Sequence, residues 1–490
     1  MRKTAVRLRL LKATSQSLIA LLLSVATGVL LGQSEPADPL RLKVETGLSE
    51  RVRIEGRPFE HWTIQERMLH YKVPGVQIAV IDHGRIAWVG SYGVCAAGKQ
   101  QKVTEDTLFQ AASVSKVITA LTVLRLIDHH RFSLDSNVGS LLRSWTIPDP
   151  AKPVTVRQLL SHNAAINWPA GESAMLPTGP IPTNLDRLLG RAPALNRPVL
   201  IDGTPGSGFR YSNGGYLILG QLVADTSGQQ FPETARKLVL DPLEMHRSTF
   251  ETFTSRTVDP NIAFGHDNEG TEEVGGWRIV GMGEGGLWTT ARDLAHAVVA
   301  IQASYGGHDN FLSHDLAVQM LTRQNERWGL GVEVVPSAGH SYFLHDGSTP
   351  GYKAKLFGYS SRGQGIIILT NGDRGGELIE ELMYSVGAAY DWPDFQVTTR
   401  KIASVDPDKL HDYVGSYQMA PGAFATISLE GGKLFGQVRG RDKTELLPDA
   451  QDRFFMLNGP TVDFVRAKSG QVTELVFDGN FHARKVSSGN

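Results

Sequence analysis

Cysteine is almost absent from this chain. Cys95 stands alone among 490 residues, so no intrachain disulfide can form and no CxxC pair is available to bind zinc. A chain of this length buries enough apolar surface to fold without such staples. Cys95 is expected to be a small buried hydrophobe in a strand, and no motif beside it supports a catalytic thiol. An excess of charge of one sign is missing too. The formal net charge is −1, from 49 bases and 50 acids, which leaves no basic field for a nucleic acid. HExxH and GxSxG are also missing, which argues against a zinc peptidase and against an alpha/beta-hydrolase elbow. The glycine-rich stretch from Gly203 to Gly208 lacks the lysine of a phosphate loop and reads as an ordinary loop. Neither a metal nor an organic cofactor is implied.

Long apolar runs are missing except near the N-terminus. Arg2, Lys3, Arg7, Arg9 and Lys12 precede the run Leu18 to Leu31, and small residues follow at Gly32 and Ser34. A basic segment, an apolar segment and small residues in that order read as a secretory signal peptide over residues 1–34. An uncleaved anchor is the alternative, but Ser24, Thr27 and Gly28 break the run. Loss of these five bases would take the net charge from −1 to −6. The expected location is secreted or periplasmic, with no stable membrane span after cleavage.

The most informative segment is Ser113-Val114-Ser115-Lys116, at the start of an apolar helical run. Residues three apart share a helix face, so the hydroxyl and the amine stand side by side. A serine hydroxyl is a weak nucleophile until a neighbour takes its proton, and an amine one turn away can take it. In isolation the same pair is usually a helix cap and a solvated charge. Two further segments change the balance. Tyr211-Ser212-Asn213 precedes another apolar helix; a phenol can shuttle protons and an amide can hold a carbonyl. His345-Asp346-Gly347-Ser348 lies on a strand edge before a Pro-Gly turn. Gly347 allows close approach to the backbone, and the N–H of Ser348 can join that of Ser113 as an oxyanion donor. His345 can donate a hydrogen bond to a substrate carboxylate or to the tyrosine.

SxxK, YxN and HxG in this order resemble the serine beta-lactamase and penicillin-binding protein superfamily, in its class C-like branch of esterases, DD-peptidases and D-amino-acid-specific peptidases. Leu159-Leu160-Ser161-His162 resembles that family's LLSH helix end. Gly285-Gly286-Leu287-Trp288 with Thr290 and Asp293 resembles its GGLWST..DL segment. Thr290 and Asp293 also read as a capping box. The resemblance covers roughly residues 60 to 375. It implies an acyl-enzyme mechanism with Ser113, Lys116 and Tyr211 as catalytic residues, and with Asn213, His345, Gly347 and Ser348 binding substrate. The expected substrate is a small molecule or peptide with a scissile ester, amide or lactam carbonyl. His345 stands where beta-lactamases and DD-peptidases usually carry lysine. A mostly neutral histidine holds a carboxylate weakly, which favours esters or D-amino-acid peptides over beta-lactams. The rival reading is a non-catalytic binding or sensor protein on the same scaffold.

The fold class read from the pattern is α/β of the α+β type. A polar leader (35–55) and a helix from Phe59 to Tyr71 precede two alternating runs around the turn Asp82-His83-Gly84. Strands are expected at 327–336, 341–346, 352–360 and 364–371, and a closing helix from Glu377 to Tyr390. Strands at both ends of a helix-rich middle imply one antiparallel sheet flanked by helices, at residues 35–395. Residues 396–410 read as a linker. From 411 to 490, five short alternating strands imply a small antiparallel barrel or sandwich.

Overall fold

The computed structural model describes residues 38–486 except 150–152, 168–175, 177–178, 254–257, 274, 279–280, 310, 421, 439–441 and 480. The segment read as a signal peptide lies outside the described residues. The polar leader is structured: helix α1 (Pro39–Thr46) and strand β1 (Val52–Ile54) occupy it. Asp38 caps α1 by accepting the Leu40 N–H at 3.0 Å. β1 pairs in parallel with Thr398–Arg400, inside the segment read as a linker. A partner so far along the chain leaves no local signature. Helix α2 (Ile64–His70) is shorter than the expected 59–71. Thr63 and Glu66 form a capping box that fixes its start, and Trp62 is instead bridged to Leu48.

Strands β2 (Gly75–Asp82) and β3 (Arg85–Gly93) form the expected hairpin. His83 and Gly84 take positive φ of 51° and 70°, as a two-residue turn between right-twisted strands requires. The chain then lays down β4 (Phe109–Gln110) and helix α3 (Ser115–Asp128). Helices α4 (Val156–Leu160), α5 (Asn213–Ser227) and α6 (Met282–Gly285), strand β5 (Trp288–Thr289) and helix α7 (Ala291–Tyr305) follow among others. Strands β6 (Glu333–Ser337), β7 (His340–Thr349), β8 (Tyr352–Tyr359) and β9 (Gly365–Thr370) and helix α8 (Gly375–Ala389) complete the body. The sheet order is β3-β2-β9-β8-β7-β6, antiparallel throughout.

Both faces of this sheet are covered, which explains its unbroken apolar strands. Ile366 and Ile368 of β9 join Ile78, Val80 and Trp88 in a layer closed by Leu378, Leu382 and Val386 of α8. Ile367 and Leu369 join Ala79 and Ile81 in the opposite layer, with Val117 and Leu121 of α3 and Leu294, Val298 and Ile301 of α7. Each fully buried aliphatic side chain contributes about 1.5–3 kcal/mol. Cys95 is buried as expected, just past the end of β3. Thr290 caps α7 through the Asp293 N–H at 3.2 Å. The Asp293 carboxylate does not complete a box, because it accepts from the Arg247 N–H and the Ser248 hydroxyl.

One detail of register matters for function. β6 pairs with β7 only over residues 340–344. Residues 345–349 of β7 pair with β8 alone, so their other edge faces the turn that carries Ser113.

Residues 415–486 close into an eight-stranded antiparallel barrel. The strands not anticipated are Gly415–Ala420, Thr444–Ala450 and Phe481–Val486. Their polar composition and Pro448, which sits beside a register shift, hide the alternation. The barrel centre is filled by Tyr413, Tyr417, Phe454, Phe464 and Leu475. Among the described residues, no helix is long and apolar enough to cross a membrane.

Candidate active site

The pairing of β4 with β5 delivers the chain to a tight turn. The Ala111 N–H donates to the Leu287 carbonyl at 3.0 Å, and Ala112 then takes φ of 48°. For a residue with a Cβ this left-handed conformation costs about 1–2 kcal/mol. It presents Ser113 in a single turn of 3₁₀ helix (Ala112–Val114) ahead of α3. Ser115 points the other way, its hydroxyl accepting the Leu287 N–H at 3.0 Å.

Lys116 is wholly buried. Its Nζ stands 3.0 Å from the Ser113 Oγ and donates to the Glu284 carbonyl at 2.7 Å. Glu284 belongs to α6, which the Thr119 hydroxyl also holds through the Gly283 carbonyl at 2.7 Å. The amine lies 5.1 Å from the centre of the Tyr211 ring and 5.6 Å from that of Tyr216. The first two motifs therefore share one pocket.

Tyr211 immediately precedes α5. Ser212 caps that helix, accepting the Gly215 N–H at 3.0 Å and donating to the Asn167 carbonyl at 2.8 Å. Asn213 is its first residue, and its Oδ1 is buried with no hydrogen-bond partner among the described residues. The other wall is the open stretch of β7. A Cβ added to Gly347 would lie 2.2 Å from the Ala111 carbonyl oxygen, so glycine is what lets this strand reach the turn that carries Ser113. Ser348 follows on the same stretch, exposed to solvent.

His345 has its ring donor engaged with its own strand. Its Nδ1 lies 2.8 Å from the Asp346 carbonyl oxygen. A carbonyl only accepts, so Nδ1 carries the proton and Nε2 is an acceptor, buried without a partner among the described residues. Burial, with the positive charge of Lys116 in addition, holds the ring at about 3. The ring is thus neutral and cannot act as the cation that grips a carboxylate. Asp346 instead pairs with Lys355 at 2.7 Å across the strands.

Three aromatic groups around Tyr211 carry no role in the motif reading. His162 stacks on Tyr211 with ring centres 4.3 Å apart, and Trp328 stands edge-on to both His162 and His345 at 4.8 and 5.1 Å. Phe209 stacks on Trp328 at 5.9 Å. The LLSH resemblance marked His162 without giving it a task. Trp328 lay in a segment read as strand, whereas β6 begins only at Glu333. Among the described residues, no three His, Cys, Asp or Glu side chains converge as a metal centre requires.

The two buried histidines make stability depend on acid. His162 is also held well below its usual range, by burial first and then by Lys116 and His345. Unfolding frees both rings to bind protons near pH 6.5. Their contribution is therefore complete above that pH and is lost as pH falls below it, for His345 down towards about 3. For His345 the slope is about 1.4 kcal/mol per pH unit. Urea midpoints at pH 7, 5.5 and 4.5 will fall more steeply for the native chain than for His345→Gln. Equal slopes would remove this account.

The Beta-lactamase sequence family matches residues 62–388, more than half of the chain, and the protein belongs to that family of hydrolase fold. A domain of unknown function, DUF3471, matches residues 399–487. Penicillin-binding protein 4 of Amycolatopsis lactamdurans is 33% identical over 218 residues, covering 43% of this chain and 54% of that protein. The match thus spans about half of that relative. Penicillin-binding protein 4* of Bacillus subtilis is 23% identical over 417 residues, covering 77% of this chain and 87% of that protein. Among solved structures, the octameric penicillin-binding protein homologue from Pyrococcus abyssi has a TM-score of 0.58 at 20% identity, covering 86% of this chain and 98% of that one. D-amino acid amidase from Ochrobactrum anthropi SV3 has a TM-score of 0.56 at 19% identity, covering 72% and 100%. EstCE1, a hydrolase with promiscuous acyltransferase activity, has a TM-score of 0.52 at 20% identity, covering 66% and 96%.

Proposed function

We propose that this protein is an exported serine hydrolase that works through an acyl-enzyme. The observation that carries the reading is the 3.0 Å approach of Lys116 Nζ to Ser113 Oγ, beneath the ring of Tyr211. Ser113 Oγ attacks the substrate carbonyl carbon, and its proton passes to Lys116 in the uncharged amine form that the step requires. Tyr211 delivers a proton to the leaving atom as that bond breaks. Water then enters, loses a proton to the same pair, and releases the acyl group from Ser113. The N–H groups of Ser113 and Ser348 hold the oxyanion, each such donor contributing roughly 3 kcal/mol in comparable sites. Asn213 and His345 orient the substrate.

Esters and D-amino-acid peptides or amides are the favoured substrates, ahead of beta-lactams. The neutral His345 supports this order, because it offers no cation to a penicillin carboxylate. The amidase and the EstCE1 hydrolase among the structural relatives support it as well. Export rests on the basic and apolar N-terminal segment.

Covalent labelling tests the reading. A fluorophosphonate probe will add its mass to the peptide that contains Ser113, and prior heating will prevent it. An unlabelled native protein would return the chain to the class of binding or sensor proteins. Parallel assays with a p-nitrophenyl ester, a D-Ala-D-Ala peptide and nitrocefin will then rank the substrates, the ester first and nitrocefin last.

A further inference from the structure

We propose that His162 is a positioning residue for Tyr211, holding the phenol over Lys116 from both sides in sequence and from one face of the ring. The proposal rests on the acyl-enzyme reading above. Three contacts carry it. The Arg210 N–H donates to the His162 carbonyl at 2.7 Å. The Ser212 N–H donates to His162 Nδ1 at 3.1 Å. Between these two anchors the imidazole lies against the Tyr211 ring, 4.3 Å away and tilted by 30°. One residue thus fixes the backbone before Tyr211, the backbone after it, and the plane of its side chain.

The chemistry of the ring suits this task and little else. Nδ1 accepts from a backbone N–H, so the ring proton sits on Nε2, which is buried without a partner among the described residues. The imidazole is therefore neutral and adds no charge beside Lys116. A leucine of similar bulk would fill the space but would leave the Ser212 N–H unsatisfied. His162 is itself firmly held. It is 2% exposed and takes φ of 56° at the end of α4. Its far side meets the edge of Trp328 at 4.8 Å. The loop that carries Trp328 is tied back by Asn325, which donates to the Ser161 carbonyl at 2.7 Å and accepts the Trp328 N–H at 2.8 Å. The path from Trp328 through His162 to Tyr211 is an unbroken chain of ring contacts, edge-on at the first step and stacked at the second.

Proton transfer depends steeply on placement, because a misaligned acid loses most of the 10²–10⁴-fold that such a group supplies. In ester hydrolysis, His162→Ala will lower kcat about 100-fold and change KM by less than about 3-fold. His162→Asn keeps an acceptor near the Nδ1 position and tolerates the left-handed backbone; it will recover about 10-fold of that loss. The decisive measurement is a double-mutant cycle with Tyr211→Phe. If His162 acts through the phenol, either His162 variant will lower kcat by less than about 2-fold once the hydroxyl is gone. The same cycle with His162→Asn gives the answer should the alanine variant fail to fold. A full loss repeated in the Tyr211→Phe background would overturn the positioning role alone. A Tyr211→Phe protein as fast as the native one would overturn the acyl-enzyme roles, and this proposal with them.

Discussion

Ser113→Ala will lower ester hydrolysis by roughly 10⁵–10⁶-fold, and Lys116→Met will lower it nearly as much. The reason is geometric. The two groups are 3.0 Å apart, and in the proposed mechanism each acts only through the other. Lys116 has few other tasks: it donates to one carbonyl, of Glu284, and lies among rings. The pair should therefore behave as a unit, and the double variant should be no slower than Ser113→Ala. Single-turnover kinetics with a p-nitrophenyl ester will measure this. A Lys116→Met protein that keeps more than about a tenth of the native acylation rate would show that another group takes the serine proton.

The second large effect concerns stability. Arg67→Leu will destabilise the protein by about 3–5 kcal/mol. Arg67 of α2 grips Glu381 of α8 with two hydrogen bonds, at 2.7 and 2.6 Å. The Tyr71 hydroxyl adds a third at 2.6 Å, and Asn458 of the barrel reaches the same carboxylate at 3.3 Å. Glu381 is 2% exposed. Removing its cation strands a buried negative charge, and that penalty exceeds the value of the intact pair. The double variant Arg67→Leu, Glu381→Leu should recover most of the loss. Urea unfolding followed by far-ultraviolet circular dichroism gives both numbers. A single variant within about 1 kcal/mol of native would show that solvent reaches the carboxylate.

The chemistry of the site was more legible than the contacts that support it. Ser113 and Lys116 could be paired from the sequence because residues three apart share a helix face, a local rule. The alternating runs around Asp82 to Gly84 were readable for the same reason. His162 and Trp328 obey no local rule. They meet Tyr211 only because the ends of α4 and of the loop before β6 fold against the start of α5, and burial among rings leaves no periodic trace. β1 and Thr398–Arg400 are hidden for a like cause, since two three-residue strands from opposite ends of the body find each other only in space. The tautomer of His345 was unreadable as well. It is set by the carbonyl of the next residue, Asp346, and thus by local backbone geometry rather than by residue type.

The filled interior of the barrel has a mechanical consequence. Tyr413, Tyr417, Phe454 and Phe464 are buried together inside it, so side chains occupy the described interior of this domain. Its outer skin is the part that meets the body. That skin grips the body where Asn458 meets Glu381 and where Asp442 pairs with Arg374 at 2.7 Å. Both grips lie at the α8 layer, across the sheet from the layer that holds α3. The barrel therefore meets the body on the α8 side of the sheet, and α3, which follows Ser113, lies on the other side.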